Sequence, residues 1–518
     1  MLWIALHLPL LSLESFAATL ASAADERPLA LMDQQRIVNA NPAARALGIE
    51  PGLKRATALA LAPQLTLGQA DAARDTQALA AVAFAALAFT PNVTLQPAGA
   101  NASPDTVLLE VQGSLRHFGG PERRLHSLLQ RLRAALVPLA HRIHIVSAPT
   151  AQGAALLAQV HETLHCADLK ALALALDAAP VWLLGPGREH WEALQGMGLR
   201  TLGDLKRLPR AGVARRFGAA LLDELDRAFG DRPDPRVAIV LPATFESRLE
   251  LHARADTTEQ VLCGAAMLLA RLVAWLSAQH AFVRRFTLVM QHEARWRTDA
   301  TTPAATPLTL ALAEPSRDPA HLMVLLRERL AQLQLPAPSI ELRLRVDDIA
   351  RRAPPNSELF PTPGSEREGL IRLIERLQAR LGPEQVQRLV RVQDHRPERG
   401  SEKRPAQAVL PGARVSSVGD ATRSSGLVSG VVRPMWLLAQ PQALSERRNQ
   451  PLLDGHALQL LSGPERIEAG WWDAGLAERD YFIAEAADGA LVWIYRARLP
   501  LSTEGANESG WFLHGRFG

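Results

Sequence analysis

The sequence predicts a multi-domain α+β protein with a separate helical and β extension at its C-terminal end. Three observations predict it. The 518 residues exceed what one hydrophobic core commonly organises. Short period-2 apolar runs are mixed with longer stretches whose apolar residues recur every three to four positions. A stretch rich in Arg, Ser, Gly and Pro, residues 394–429, lacks either period and precedes a Trp-rich, strand-like final part.

In chain order, residues 2–8 read as a buried strand and, after Pro9, residues 11–23 as a helix. The same stretch superficially resembles a signal peptide, with Ala-Ser-Ala near its end. It has no Lys or Arg ahead of its apolar part, and His7 and Glu14 interrupt it. Strand and helix are therefore expected, with a cytoplasmic location. Residues 26–63 read as a small helical insert. Strands follow at 93–97, 106–111 and 142–146, with helices at 70–88 and 121–139 between them. Residues 168–232 read as short basic helices. Strands at 282–290 and 340–346 go with helices at 258–279 and 319–333, and a helix at 366–381 follows a Pro-rich stretch. No apolar run reads as long enough to cross a membrane.

The bulk numbers narrow the function classes. A hydrophobic share of 47% supports real cores, and the net charge of +4 with a pI near 9.5 favours a polyanionic partner. Two cysteines, Cys166 and Cys263, exclude a disulfide framework and a zinc ribbon, which fits a reducing compartment.

From its first strand the chain resembles the Y-family translesion DNA polymerases. That family opens on a strand bearing Asp-x-Asp, then two aromatics and a helix with a Glu. Here Ala5 and His7 stand at the two Asp positions, Leu10 at the aromatic gate, and Glu14 remains. Asn41-Pro42-Ala43-Ala44-Arg45, with Gly48 and Gly52, resembles the finger motif. Arg45 is kept where the family contacts the triphosphate, while Pro42 replaces its Tyr. Ser103-Pro104-Asp105-Thr106 resembles the second acidic motif; Asp105 remains and Thr106 replaces a Glu. No Lys or Arg lies between Arg142 and Lys170, where the family has a phosphate-gripping Lys.

Phosphoryl transfer by two Mg²⁺ ions about 4 Å apart requires several carboxylates. Ala5 offers no side-chain ligand, and His7 is a poor one for a hard cation. The resemblance therefore implies a polymerase-shaped protein without catalytic residues or cofactor, Mg²⁺ entering only if some activity survives through Asp105 and Glu110. That weak polymerase is the alternative reading.

In the last part, Arg433-Pro434-Met435-Trp436, Gly463-Pro464-Glu465-Arg466, Gly470-Trp471-Trp472-Asp473, Arg479-Asp480-Tyr481-Phe482 and Trp511-Phe512-Leu513-His514-Gly515 resemble ImuB-type proteins, the inactive relatives within that family. This resemblance implies a palm (1–25 and 67–167), fingers (26–66), a thumb (168–235) and a little finger (236–350). After these come a clamp-motif linker and helix (351–393), a disordered linker (394–430) and a Trp-rich module (431–518). It further implies an adaptor in damage-induced (SOS) translesion synthesis. The expected partners are DNA, the β sliding clamp, a RecA-like mutasome protein and an error-prone replicative-type DNA polymerase, with no membrane.

Further residues carry specific expectations. Lys206, Arg207, Arg210, Arg215 and Arg216, near Gly185-Pro186-Gly187 and Gly196-Met197-Gly198, suggest helix-hairpin-helix-like contacts to DNA phosphates. Arg284 and Arg285 suggest the same more weakly. Asn356, Leu359 and Phe360 resemble the Gln and Leu-Phe anchors of a clamp-binding peptide. His161-Glu162-Thr163-Leu164-His165 is a literal HExxH, which on a helix would bind Zn²⁺ and act as a protease; this is a remote third reading. Trp471, Trp472, Trp493 and Trp511 are expected to fill the core of the last module. Leu370, Leu373, Leu377 and Leu381 form one helical stripe that either docks a partner or packs internally.

Overall fold

The computed structural model describes residues 1–20, 27–96, 105–120, 123–185, 190–293, 303–351, 363–406, 433–473, 475–498 and 510–517, with backbone alone for 363–368. The chain divides into two compact units, Met1–Arg380 and Leu381–Gly518.

The first unit opens with strand β1 (Trp3–His7) and helix α1 (Leu11–Ala17). Then come β2 (Leu29–Asp33), β3 (Arg36–Ala40), α2 (Pro42–Ala46), α3 (Arg55–Leu61) and β4 (Thr66–Gln69). The insert expected to be helical is thus built on a three-stranded sheet of order β3-β2-β4. Its hairpin turns through Gln34 and Gln35, both at positive φ (45° and 69°). That geometry usually advertises itself by Asn-Gly or Asp-Gly, so two glutamines concealed it. Asn41 explains the α2 start: its side-chain oxygen accepts from the amides of Ala44 (2.9 Å) and Leu29 (3.0 Å). Gly68 is required because a Cβ there would lie 2.5 Å from the Phe16 ring.

The chain continues through α4 (Ala72–Leu87), β5 (Val93–Leu95), β6 (Thr106–Glu110), α5 (Arg124–Leu136), β7 (His144–Ala148), α6 (Ala151–Ala158) and β8 (Thr163–His165). One sheet of order β5-β6-β1-β7-β8 results. Alternation divides its side chains. Ile4, Leu6, Val107 and Leu109 join the core that includes α4 and α5. Ala5, Leu108, Val146 and Ala148 face the other way, into a core shared with α6 and the helices beyond it. Each fully buried Leu or Ile here contributes about 1.5–3 kcal/mol.

Those later helices are Leu169–Ala178, Trp191–Gly196, Leu202–Lys206, Arg210–Phe217 and Ala219–Phe229. Next comes a four-stranded antiparallel sheet of β9 (Glu246–Ala255), β10 (Phe282–His292), β11 (Ala305–Ser316) and β12 (Ser339–Ala350), in the order β11-β10-β12-β9. Helices Thr258–Ala278 and Pro319–Ala331 cover one face, against Leu249, Leu288, Leu342 and Leu344. Contrary to expectation, one helix does have the length and apolarity to cross a membrane: Thr258–Ala278, with a mean hydropathy of 1.9. Most of it is buried, with Leu268, Leu272, Trp275 and Leu276 in the core. It also carries buried Arg271, whose guanidinium burial depresses to about 10.

In the second unit, strands Gln387–Arg391 and Ser401–Pro405 pair antiparallel. A five-stranded sheet follows from Trp436–Ala443, Gln459–Ala469, Ala477–Glu485, Leu491–Ala497 and Trp511–Arg516. Two expectations are corrected here. The first part of the expected disordered linker, 394–406, is structured, because Arg396 is buried and held by Asp394 (2.7 Å) and Asp473 (2.8 Å). Residues 407–430 of that linker lie outside the described residues. Second, Trp493 and Trp511 are buried, but Trp471 and Trp472 are 79% and 53% exposed. The core aromatic pairing is instead Tyr481 on Trp493, ring centroids 4.0 Å apart, with the Tyr481 hydroxyl 2.8 Å from His514 Nδ1.

Candidate functional site

The centre of the first sheet sets the position where the acidic motifs were expected. β1 lies between β6 and β7, so Ala5 is flanked by Leu108 and Val146, and His7 by Thr106 and His144. Ala5 is fully buried. His7 is also buried, its Nδ1 2.9 Å from Thr106 Oγ1. That hydroxyl donates to Asp105 Oδ1 at 2.8 Å, and His7 Nδ1 lies 3.4 Å from the same carboxylate. A side-chain cluster of His7, Thr106 and Asp105 therefore stands where a carboxylate set would hold Mg²⁺. The residues do not fit that pair of ions: one carboxylate, already paired, is too little hard-oxygen charge. Among the described residues no group of three or more His, Cys, Asp or Glu could hold a metal ion.

Glu110 does not supplement Asp105. It pairs with Trp3 at the far end of β6, about 17 Å along the strand, and accepts from the Gln112 amide at 3.1 Å. Glu14 likewise turns away, accepting from the Arg142 amide (3.1 Å) and facing His141 Nδ1 (3.2 Å). Arg45 lies exposed on α2.

The HExxH reading is overturned. α6 ends at Ala158 and His165 closes strand β8, so the two histidines do not share a helix face. His165 Nδ1 lies 2.7 Å from Ser147 Oγ, and Glu162 pairs with Arg142. The remote zinc-protease reading falls because it needed a helix through residues 161–165, and α6 stops before them.

The basic residues of the helical region separate into different roles. Arg210 forks onto Asp226 at 2.9 and 2.5 Å, which straps two helices together. Lys206 Nζ sits 3.7 Å from the Phe229 ring centroid, Arg207 pairs with Asp204 at 3.5 Å, and the Arg216 guanidinium lies 5.5 Å from the Phe217 ring. Lys206, Arg207, Arg215 and Arg216 are all exposed. The backbone donors of the nearby turn are already used. Asp204 accepts from the Arg200 and Thr201 amides (3.1 and 3.0 Å), which holds its carboxyl below the usual range. The Gly185 amide donates to Glu224 at 3.0 Å; residues 186–189 lie outside the described residues. Among the described residues, the groups left for phosphate contact here are the cationic side chains.

Sequence reading missed a second basic surface. On the face of the four-stranded sheet opposite those two helices, Arg248 stands directly opposite Arg343, with Arg345 two residues on. Glu341 neutralises part of it, 2.7 Å from Arg248 and 3.1 Å from Arg343, as does Glu246, 3.3 Å from Arg343. The run Leu342-Arg343-Leu344-Arg345 was the available signal. Arg284 and Arg285 are exposed at a β-bulge of the same sheet. Asn356, Leu359 and Phe360 lie outside the described residues.

The impB/mucB/samB family model matches residues 11–166. The chain is similar to Protein ImuB of Caulobacter vibrioides, from strains NA1000 and CB 15, at 29% identity over 492 residues, covering 91% of this chain and 100% of the relative. Among solved structures it is similar to a Dbh ternary complex (16% identity, TM-score 0.38) and a Dbh-Dpo4-Dbh Y-family polymerase chimera (15%, TM-score 0.36). Each alignment covers 67% of this chain and 99% of the other.

Proposed function

We propose that the chain is a Y-family polymerase-like protein of the ImuB type, to which it is similar, and that it acts as a non-catalytic adaptor in damage-induced (SOS) translesion DNA synthesis. One observation carries the reading. At the two central strands, Ala5, His7 and Thr106 occupy positions that metal chemistry needs as carboxylates, and His7 and Thr106 are hydrogen-bonded to each other. In this reading no cofactor is used. DNA is held through Lys206, Arg207, Arg215 and Arg216, with Arg284, Arg285, Arg248, Arg343 and Arg345 as a second surface. Arg210 acts there through the Asp226 strap.

The adaptor role extends to three protein partners in a bacterial cytoplasm: the β sliding clamp, a RecA-like mutasome protein and an error-prone replicative-type polymerase. Asn356, Leu359 and Phe360 are the proposed clamp peptide, and a tether of this kind raises the local concentration of a second polymerase without a large interface. Changing Leu359 and Phe360 to Ala is expected to abolish clamp binding in a pull-down with purified clamp.

Primer extension on primed DNA with Mg²⁺ or Mn²⁺, beside a binding titration on the same duplex, tests the central point. Binding without extension is expected. Template-dependent extension lost on Asp105→Ala would establish the alternative, a weak polymerase, which the 52% exposure of the Asp105 side chain favours.

A further inference from the structure

Helix Pro363–Leu381 has two apolar faces, and the first unit uses one of them. The inward face is fixed by Glu375, whose side chain is buried. Its Oε1 accepts from the Ala313 and Glu314 amides at 2.5 and 3.1 Å, and its Oε2 lies 2.8 Å from His321 Nε2. Ala379 is buried in the same core as helix Pro319–Ala331, and Gln332 donates to the Arg380 carbonyl. Ile371 and Ile374 are half-buried.

The opposite face is different. At 100° per residue, Leu370, Leu373 and Leu377 fall within an arc of about 60°, on the side away from Glu375 and Ala379. They are 57%, 52% and 37% exposed. A solvated face normally carries polar side chains, so this row has the composition of a buried seam that stays exposed among the described residues. Its edges are unlike each other. Arg372, Arg376 and Arg380, spaced four apart, run along one edge, and Ile374 and Gln378 along the other. Arg372 meets Asp318 at 3.2 Å and Arg376 meets Glu328 at 3.9 Å, while both arginine side chains remain more than half exposed.

We infer that this face docks an amphipathic helix of another protein, one whose leucine-type stripe is bordered by carboxylates on the edge that meets the arginines. The charge pattern selects this occupant. An antiparallel second copy would lay the arginine edge against itself, which like-charge repulsion disfavours. The inference does not depend on the adaptor reading, since the face is the same whether or not the chain extends primers.

The test uses the intact chain and two labelled helical peptides of identical apolar stripe, one flanked by glutamates and one by lysines, read by fluorescence anisotropy. The glutamate peptide is expected to bind about tenfold more tightly at low salt, with the difference shrinking as salt rises. Leu373→Glu with Leu377→Glu should abolish binding while circular dichroism stays unchanged, because both side chains point outward. Arg376→Glu with Arg380→Glu should invert the preference. The inference is overturned by binding of neither peptide, by equal binding of both, or by binding that survives the leucine changes. Sedimentation showing an oligomer that the leucine changes dissociate would also overturn it, by assigning the face to a second copy.

Discussion

Nδ1 of His7 lies 2.9 Å from the Thr106 hydroxyl across neighbouring strands β1 and β6. The hydroxyl gives its own proton to Asp105, so the imidazole is the donor in that pair and Thr106 serves both neighbours at once. Removing the hydroxyl strands a buried N–H. Thr106→Val is nearly isosteric and is expected to lower the unfolding free energy by about 1–2 kcal/mol in urea titration. No change would mean that Asp105, 3.4 Å from Nδ1, takes over the bond.

The basic helices divide by what each cation already touches. Arg207→Ala and Arg215→Ala are expected to weaken duplex binding equally on unrelated sequences. Each should also flatten the dependence of log affinity on log salt by about 0.9 per lost phosphate contact. Arg210→Ala, which breaks the fork to Asp226, should mainly lower stability and leave the salt dependence of DNA binding unchanged. Titrations at several salt concentrations with melting curves distinguish the two outcomes.

Glu375 joins a helix to the edge strand β11 through two amides and to His321 through its other oxygen. Glu375→Ala removes the acceptor of both amides and the partner of the half-buried His321. A loss of about 1–2 kcal/mol is expected in denaturant unfolding, with increased hydrogen exchange at Ala313 and Glu314.

The second unit has an acid-sensitive clasp. Arg396 hydrogen bonds hold the carboxyls of Asp394 and Asp473 below their ordinary range. A carboxyl lowered by folding contributes stability that is complete above its unfolded value, near ~3.9, and is lost as pH falls beneath it. Melting temperature is therefore expected to drop between about pH 5 and pH 2, more steeply in the wild type than in Asp473→Asn. Parallel pH profiles of the two would contradict the clasp.

The leading reading was legible in the residues themselves. Short apolar runs at 2–8, 106–111 and 142–146 marked the strands of one sheet. The lack of carboxylates at Ala5, His7 and Thr106 is a matter of side-chain chemistry that no packing can reverse. The Leu-Arg-Leu-Arg of β12 carried its two faces openly, though only the apolar one was recognised.

Other features depended on which segments meet. The placing of Glu110 opposite Trp3 follows from the register of β6 on β1, and the failure of HExxH follows from α6 stopping at Ala158. Trp471 and Trp472 stay outside because Asp473 closes on Arg396, a residue 77 positions away in sequence. Glu375, an unremarkable acid on an amphipathic helix, became a buried anchor only when β11 presented the Ala313 and Glu314 amides to it. Periodicity and side-chain chemistry act over a few residues and can be read locally. Burial and pairing are set by contacts between segments far apart in sequence, so only the tertiary structure decided them.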